Sequence, residues 1–195
     1  KSSVPGIDSD DMEGKIAFQY SDRTWSNNAS YQVIQNNFTN EMGYTPRRGV
    51  RRYNARIWRS WRPVNSSIRQ IYPHLVVDYY SDTAGNFDSK YVDYHFPISW
   101  QSGANIELGM NSTVEALKKQ FTLNNGENVV PTGTYNMPEY FVYYRPDSSR
   151  RYGPAFRIGL GSFYTGYKHS YTFNQTLRVN HHFNAALNFT HNNIS

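Results

Sequence analysis

Apolar and polar side chains alternate with a period of two along much of the chain. The clearest case places Val92, Tyr94, Phe96, Ile98 and Trp100 on one face of a segment, and Asp93, His95, Ser99 and Gln101 on the other. Successive side chains of a strand point to opposite faces of a sheet, so this period indicates β-strands. The pattern recurs in about ten segments separated by turn residues, which predicts an all-β protein.

The predicted strands cover residues 14–20, 24–34, 51–61, 68–80, 87–101, 104–117, 135–145, 152–162, 168–179 and 183–191. Most approach the roughly 9–11 residues that a tilted strand needs to cross a bilayer. The connections alternate between short ones (21–23, 62–67, 102–103, 146–149, 180–182) and longer ones (35–50, 81–86, 111–134, 163–167). Up-and-down barrels of outer membranes have short turns at one end and longer loops at the other. The alternation therefore favours a membrane barrel over a soluble sandwich with Greek-key connections.

Composition adds to this interpretation. The mean hydropathy is −0.74, and no apolar run approaches the roughly 18 residues that a transmembrane helix needs. Aromatic residues make up 16% of the chain, and aromatic girdles are typical of membrane barrels. We expect one girdle near the short turns (Trp25, Trp58, Trp61, Trp100) and another near the long loops (Tyr79, Tyr80, Tyr135, Phe163, Tyr164, Tyr167).

Arginine dominates a net charge of +5 and clusters at Arg47, Arg48, Arg51 and Arg52. The planar guanidinium group donates two hydrogen bonds at once to phosphate or carboxylate, so these four residues are a candidate anion-binding patch. We place the segment Tyr44–Tyr53 at an external loop that returns into the barrel. The counter-charges are either internal carboxylates, such as Glu41 or Asp residues of the lumen, or lipopolysaccharide phosphates and acidic substrates. No nucleic-acid module is present, and nucleic acid is not an expected partner.

A second candidate site lies on the polar face of two predicted neighbouring strands. If these strands pair across the turn at 82–86, then His74, Asp78, Asp93 and His95 share one face near cross-strand distance. A carboxylate beside an imidazole can orient it as general-base catalysis requires, so these four residues are the catalytic candidates. Ionisable groups in a lumen commonly pair with one another. We therefore favour a non-enzymatic role over catalysis, and we expect no metal and no cofactor. The absence of cysteine also excludes disulfides, thiolate metal sites and cysteine catalysis.

One stretch of the chain, Phe38-Thr-Asn-Glu-Met-Gly-Tyr-Thr-Pro-Arg-Arg-Gly-Val-Arg-Arg-Tyr53, resembles a signature of an uncharacterised bacterial family, domain of unknown function 5916. Further similar segments are Val77–Tyr79, Val92–Phe96, Ile106–Gly109, Val130–Tyr135 and Ser148–Arg151. Members of that family are commonly described as carbohydrate-binding family 9-like proteins or membrane-associated hydrolases. The resemblance implies a large outer-membrane barrel that follows a sugar-binding-like β-sandwich, and it assigns no hydrolase residue to this chain.

Taken together, the expectation is an antiparallel up-and-down transmembrane β-barrel, of which residues 1–195 supply about ten strands. Residues 1–13 are predicted to be a loop, and no second domain is expected. Both ends are interpreted as cuts through a repeating sheet, so the outer strands should pair with further strands of the barrel or with a partner chain. The expected location is the bacterial outer membrane, in contact with its lipid and with lipopolysaccharide.

Three functions are open at this point. The first is passage or surface display of an unknown substrate by an outer-membrane barrel. The second is a membrane-embedded hydrolase that uses the His/Asp face. The third is a secreted, soluble β-sandwich that binds glycans through exposed aromatic residues.

Overall fold

A computed structural model describes residues 11–38, 47–123, 128–180 and 182–195. They form thirteen β-strands, and the described residues contain no helix long and apolar enough to span a membrane. The strands are β1 (Glu13–Ser21), β2 (Trp25–Ile34), β3 (Val50–Arg59), β4 (Ile68–Ile71), β5 (His74–Asp82), β6 (Phe87–Trp100), β7 (Asn105–Leu117), β8 (Phe121–Leu123), β9 (Asn128–Val130), β10 (Gly133–Arg145), β11 (Tyr152–Phe163), β12 (Gly166–Arg178) and β13 (Asn184–Ile194). Residues 1–10 of the predicted loop at 1–13 lie outside the described residues. The loop ends one residue earlier than predicted, because β1 begins at Glu13.

Ten of these strands follow one another across a single antiparallel sheet in the order β1-β2-β3-β5-β6-β7-β10-β11-β12-β13. This confirms the predicted all-β, up-and-down arrangement. The predicted strand at 68–80 is interrupted at Pro73, which has no N–H to donate to a neighbouring strand. The register is nevertheless continuous, because β4 and β5 both pair with β6 on either side of the interruption.

The apolar face of the sheet is its exposed face. Phe96 is 36% exposed, Phe156 44% and Leu187 61%, and these residues lie in β6, β11 and β13. Other residues on the same face are also exposed, among them Ile16, Ile57, Leu108, Val142, Ile158 and Leu160. These apolar side chains therefore do not converge on a dry core between two sheets, which is what a soluble sandwich requires.

The polar face is the shielded one. Its side chains include His74, Asp93, His95 and Glu107, all of which are between 11% and 22% exposed. A soluble protein normally shows the reverse, with apolar side chains inside and charged side chains in water. Apolar and polar side chains thus alternate as predicted from the sequence, and the polar side chains are the sheltered ones.

The two edges of the sheet are β1 and β13. Within the ranges that the structure describes, these two strands do not pair with each other, so the sheet is open, as expected from the sequence. Each edge presents a row of backbone groups that a neighbouring strand could satisfy.

The predicted alternation of connection lengths is wrong in part. At the end where the chain enters β3, the connections at 35–49 and 118–132 are long, and the latter contains the β8–β9 hairpin. The connections at 83–86 and 164–165, at the same end, are tight turns. At the opposite end the connection 60–67 exceeds both of them. The strand order therefore supports the up-and-down arrangement better than the loop lengths do.

Three tight turns are fixed by aspartate side chains. Asp22 Oδ1 accepts hydrogen bonds from the Thr24 and Trp25 N–H groups, both at 2.7 Å. Asp82 Oδ1 likewise accepts from Asn86 N–H, and Asp147 Oδ1 from Ser149 N–H, each at 2.8 Å. The side-chain hydrogen bonds from Tyr20 to Asp22 and from Asn86 to Asp82, and the Ser149 backbone bond to Asp147, lower the pKa of each carboxyl below its ordinary value of 3.8. The turns are therefore most stable above pH 3.8, and this contribution is lost as the pH falls through the lowered pKa values.

Candidate functional site

A row of aromatic and imidazole rings crosses the polar face of the sheet. Direct cross-strand pairing places Trp58 opposite His74, His74 opposite His95, and His95 opposite Gly109. Gly109 in turn lies opposite Phe141 of β10. Since Gly109 has no side chain, the ring of Phe141 reaches over it to contact His95, with ring centroids 4.9 Å apart.

Each imidazole is held by a neighbouring ring. Trp58 stacks on His74 with ring centroids 4.3 Å apart and an interplanar angle of 9°. His74 meets His95 edge-on at 4.9 Å, and Phe141 meets His95 at an interplanar angle of 85°. Aromatic neighbours in such geometries favour particular ring orientations. The two imidazoles are therefore positioned by packing as well as by hydrogen bonds.

Asp93 lies between the two imidazoles. Its Oδ1 atom is 3.1 Å from Nε2 of His95 and 3.5 Å from Nε2 of His74. The ligand atoms of these three side chains all lie within 4.8 Å of one another. We call His74, Asp93 and His95 the triad.

Two residues of β7 complete the surroundings of His95. Glu107 Oε1 is 2.6 Å from Nδ1 of His95, and Asn111 Oδ1 is 2.9 Å from Nε2. The hydroxyl of Tyr91 donates to the same Asn111 oxygen at 3.2 Å. A carboxylate that accepts from one ring nitrogen fixes which nitrogen carries the proton and how the ring is turned.

A second polar cluster adjoins Phe141. The Arg157 guanidinium group donates to Glu139 Oε2 at 2.7 Å and lies 4.4 Å from the centre of the Phe141 ring. A cleft of about 290 Å³ opens beside this pair and is lined by Asn111, Glu115, Glu139, Tyr164 and Lys168, among others. Both charge signs and several hydrogen-bonding groups therefore face the same sheltered space.

Three of the four sequence-predicted candidates come together. His74, Asp93 and His95 form the triad, but Asp78 lies opposite Tyr91 and accepts a hydrogen bond from Nε of Arg52 at 2.6 Å. The shared face was predicted correctly, whereas the inclusion of Asp78 in the cluster was wrong because Arg52 neutralises it separately.

The sequence did not assign Trp58, Glu107, Asn111 or Phe141 to the site. The tight turn at 101–104 sets the pairing of His95 with Gly109, and this register brings Glu107 and Asn111 beside His95. Counting residues outward from that turn along β6 and β7 would have placed Glu107 and Asn111 beside His95. Phe141 is two strands away from β6 and required knowledge of the β7–β10 register.

The four candidate arginines do not share one face. Arg47 donates to Ser89 Oγ at 2.7 Å and to Asp88 Oδ2 at 3.3 Å, and its guanidinium group lies over the ring of Tyr80. Arg52 points to the polar face, whereas its neighbour Arg51 points to the apolar face, because successive strand residues alternate. Arg48 is exposed in the connection before β3. Glu41 and residues 44–46 of the predicted patch lie outside the described residues.

Replacing Arg47 tests whether its contacts are structural. We expect Arg47→Gln to lower the free energy of unfolding by about 0.2–1 kcal/mol, because it removes a largely exposed ion pair with Asp88. Arg48→Gln is the matched control and is expected to leave stability unchanged. Urea unfolding of the two variants measures the difference. Weaker binding of anionic glycolipid vesicles by Arg47→Gln, at unchanged stability, would instead place Arg47 in a ligand site.

Aromatic residues lie at both ends of the strands, as predicted, but not all of them point outward. Trp25 and Tyr167 are exposed on the apolar face of the sheet, and Trp61 is exposed in the connection before β4. Trp58 instead stacks on His74 on the polar face, and Tyr164 donates a hydrogen bond to Glu115 there. Trp58 and Tyr164, which were predicted to belong to the girdles, therefore make their contacts on the polar face.

No protein-family model, curated protein or solved structure matches this chain. The resemblance to domain of unknown function 5916 remains a prediction.

Proposed function

We propose that this chain forms part of the wall of a bacterial outer-membrane β-barrel, with its polar face toward a water-filled lumen through which polar solutes pass. The observation that carries this proposal is the inverted arrangement of the sheet, in which apolar side chains are exposed and charged ones are sheltered. In a membrane barrel the apolar face meets lipid and the polar face lines the lumen.

Strand length supports the same proposal. Most strands of the large sheet contain 9 to 14 residues, and about 9–11 residues suffice to cross a bilayer when tilted. Exposed Trp25 and Trp61 lie at one end of the strands, and exposed Tyr167 lies at the other. Trp and Tyr prefer these two levels because their rings are apolar and their N–H or O–H groups can reach water.

The open edges at β1 and β13 fit a wall that continues into other strands. Unpaired backbone groups are not tolerated in hydrocarbon, so each edge needs a neighbour in a bilayer. Further strands of the same barrel or a partner chain can supply it. Lipopolysaccharide is a proposed neighbour at the exposed Arg48, since arginine suits phosphate groups.

The polar face also gives the lumen a chemical character. The Arg157–Glu139 pair, the Arg52–Asp78 pair and the cleft of about 290 Å³ all present hydrogen-bonding groups to the same side. Paired charges of both signs suit hydrated polar solutes. His95 contacts Glu107, Asp93 and Asn111 through its two ring nitrogens. None of these three carries a hydroxyl or thiol that the imidazole could deprotonate to make a nucleophile, so the hydrolase alternative receives less support.

The decisive test is a cysteine scan along β12, which is simple because the chain contains no cysteine. Single cysteines replace Tyr171, Thr172, Phe173 and Asn174 in the full-length protein and carry a nitroxide spin label in liposomes. Labels at 171 and 173 are expected to collide mainly with dissolved oxygen, which concentrates in lipid. Labels at 172 and 174 are expected to collide mainly with a water-soluble nickel chelate.

A cysteine at the exposed turn residue Ser149 is the water-facing reference. Shielding of 171 and 173 from both reagents would indicate a dry core and contradict the proposal, as would equal access of the nickel chelate to all four positions. Passage itself is tested by swelling of liposomes in a neutral sugar. Liposomes that stay sealed would contradict transport.

A further inference from the structure

We propose that His74, Asp93 and His95 bind a divalent transition-metal ion of the Zn²⁺ type on the polar face. This inference goes beyond the proposed role as a barrel wall and does not depend on it. The triad is drawn from two strands, with His74 in β5 and both other residues in β6. Two imidazoles and one carboxylate are a common protein ligand set for such ions.

The spacing of the ligand atoms fits one ion. Zinc–nitrogen and zinc–oxygen bonds of about 2.0–2.2 Å at a tetrahedral angle place neighbouring ligand atoms about 3.3–3.5 Å apart. Asp93 Oδ1 lies 3.1 Å from His95 Nε2 and 3.5 Å from His74 Nε2. All three ligand atoms lie within 4.8 Å of one another, so the side chains can bind one ion after they adjust.

The orientation of the groups favours a shared ion over a simple ion pair. Asp93 Oδ1 is shielded from solvent and receives no hydrogen bond from any described residue, although two ring nitrogens lie within 3.5 Å of it. In an ion pair, at least one N–H bond is expected to point at the oxygen. Because neither does, Asp93 Oδ1 lacks the partner that a metal ion held with the two imidazoles would provide.

The residues that surround the triad resemble the surroundings of metal ligands in proteins. Glu107 at 2.6 Å accepts the proton of His95 Nδ1, which leaves Nε2 with its lone pair for a metal. Asn111 Oδ1 lies 2.9 Å from that Nε2 and offers a further oxygen ligand. Trp58 and Phe141 hold the two imidazoles from either side, so little side-chain freedom is lost on binding.

The experiment measures Zn²⁺ binding to the purified full-length protein in detergent, in competition with a chromophoric chelator. We expect His74→Gln and Asp93→Asn each to weaken binding of one Zn²⁺ per chain by more than about 100-fold, since ligand loss exceeds the 10–100-fold effect of outer partners. Glu107→Gln is expected to weaken it by about 10–100-fold. His169→Gln, an exposed histidine on the opposite face of the sheet, is the matched control and should leave affinity unchanged.

Co²⁺ supplies a second measurement that does not depend on the folding of a variant. Intense visible bands of a four-coordinate site with nitrogen ligands are expected when Co²⁺ is added to the wild-type protein, and excess Zn²⁺ should abolish them. The spectrum of aqueous Co²⁺ alone would overturn the proposal. Equal Zn²⁺ affinity of the wild type and His74→Gln, or an equal loss in His169→Gln, would overturn it as well.

Discussion

Phe156→Arg is expected to lower the free energy of unfolding in a bilayer by about 2–4 kcal/mol. Phe156 lies in β11 on the apolar face and is 44% exposed, so an arginine side chain there would extend into whatever covers this face. In lipid the charge must be placed in hydrocarbon or dragged toward the headgroups, and both are costly. Urea unfolding in liposomes measures the change.

The size of this stability change distinguishes a lipid-facing surface from a water-facing one. On a water-facing surface an exposed Phe→Arg change usually alters stability by less than about 0.5 kcal/mol. Tyr152→Arg, at the end of the same strand and face, is the depth control and is expected to cost about 0–1 kcal/mol. Equal, near-zero effects at both positions would contradict a membrane location for this face.

Strand existence and facing could be predicted from the sequence because they depend on local alternation. Residues such as Tyr94 and Phe96 alternate with Asp93 and His95 whatever the rest of the sheet does. Which face is sheltered could not be derived from that pattern alone, since a sandwich and a barrel give the same alternation. Only the exposure of the apolar residues distinguishes them.

The candidate site was predictable only where one turn fixes the register. The turn at 83–86 pairs Ser81 with Phe87, and a one-residue register shift between Tyr80 and Ser81 then sets His74 opposite His95. Two strands close in sequence were therefore enough to find the triad. Asp78 shares this register, but its partner Arg52 comes from β3, across a long connection. Phe141 reaches His95 across a whole intervening strand. Pairings across long connections depend on the tertiary arrangement, and local pattern carries no information about them.

Connection lengths failed as evidence for a related reason. The turn at 83–86 contains Gly85 in a left-handed conformation with φ of 97°, which lets the chain reverse within a few residues. The predicted strand ended at residue 80, whereas β5 continues to Asp82, so the turn was counted as a longer loop of residues 81–86. The long connection at 118–132 forms its own short hairpin, β8–β9, which the sequence pattern did not indicate.

Gly109→Ala is expected to destabilise the protein by about 1–3 kcal/mol through overpacking. A methyl group at this position would clash with the Phe141 ring and would lie 2.7 Å from the His95 ring. Both rings must move, and His95 cannot do so without disturbing its contacts with Glu107 and Asn111. We therefore expect Zn²⁺ affinity to fall together with stability, measured by urea unfolding and by chelator competition.

Gly153→Ala is the matched control, because Gly153 also lies on the polar face, in β11. A methyl group there meets its nearest atoms at 3.9–4.0 Å, which is ordinary contact. Stability should be unchanged or rise by about 0.4–1 kcal/mol, since alanine reduces the entropy of the unfolded chain. If crowding by Phe141 is the cause of the Gly109 effect, Phe141→Leu in the same chain should recover part of the loss, and the two changes should cost less together than their sum. Additive losses would contradict direct contact, and a stable Gly109→Ala protein would show that the ring row tolerates a side chain at its centre.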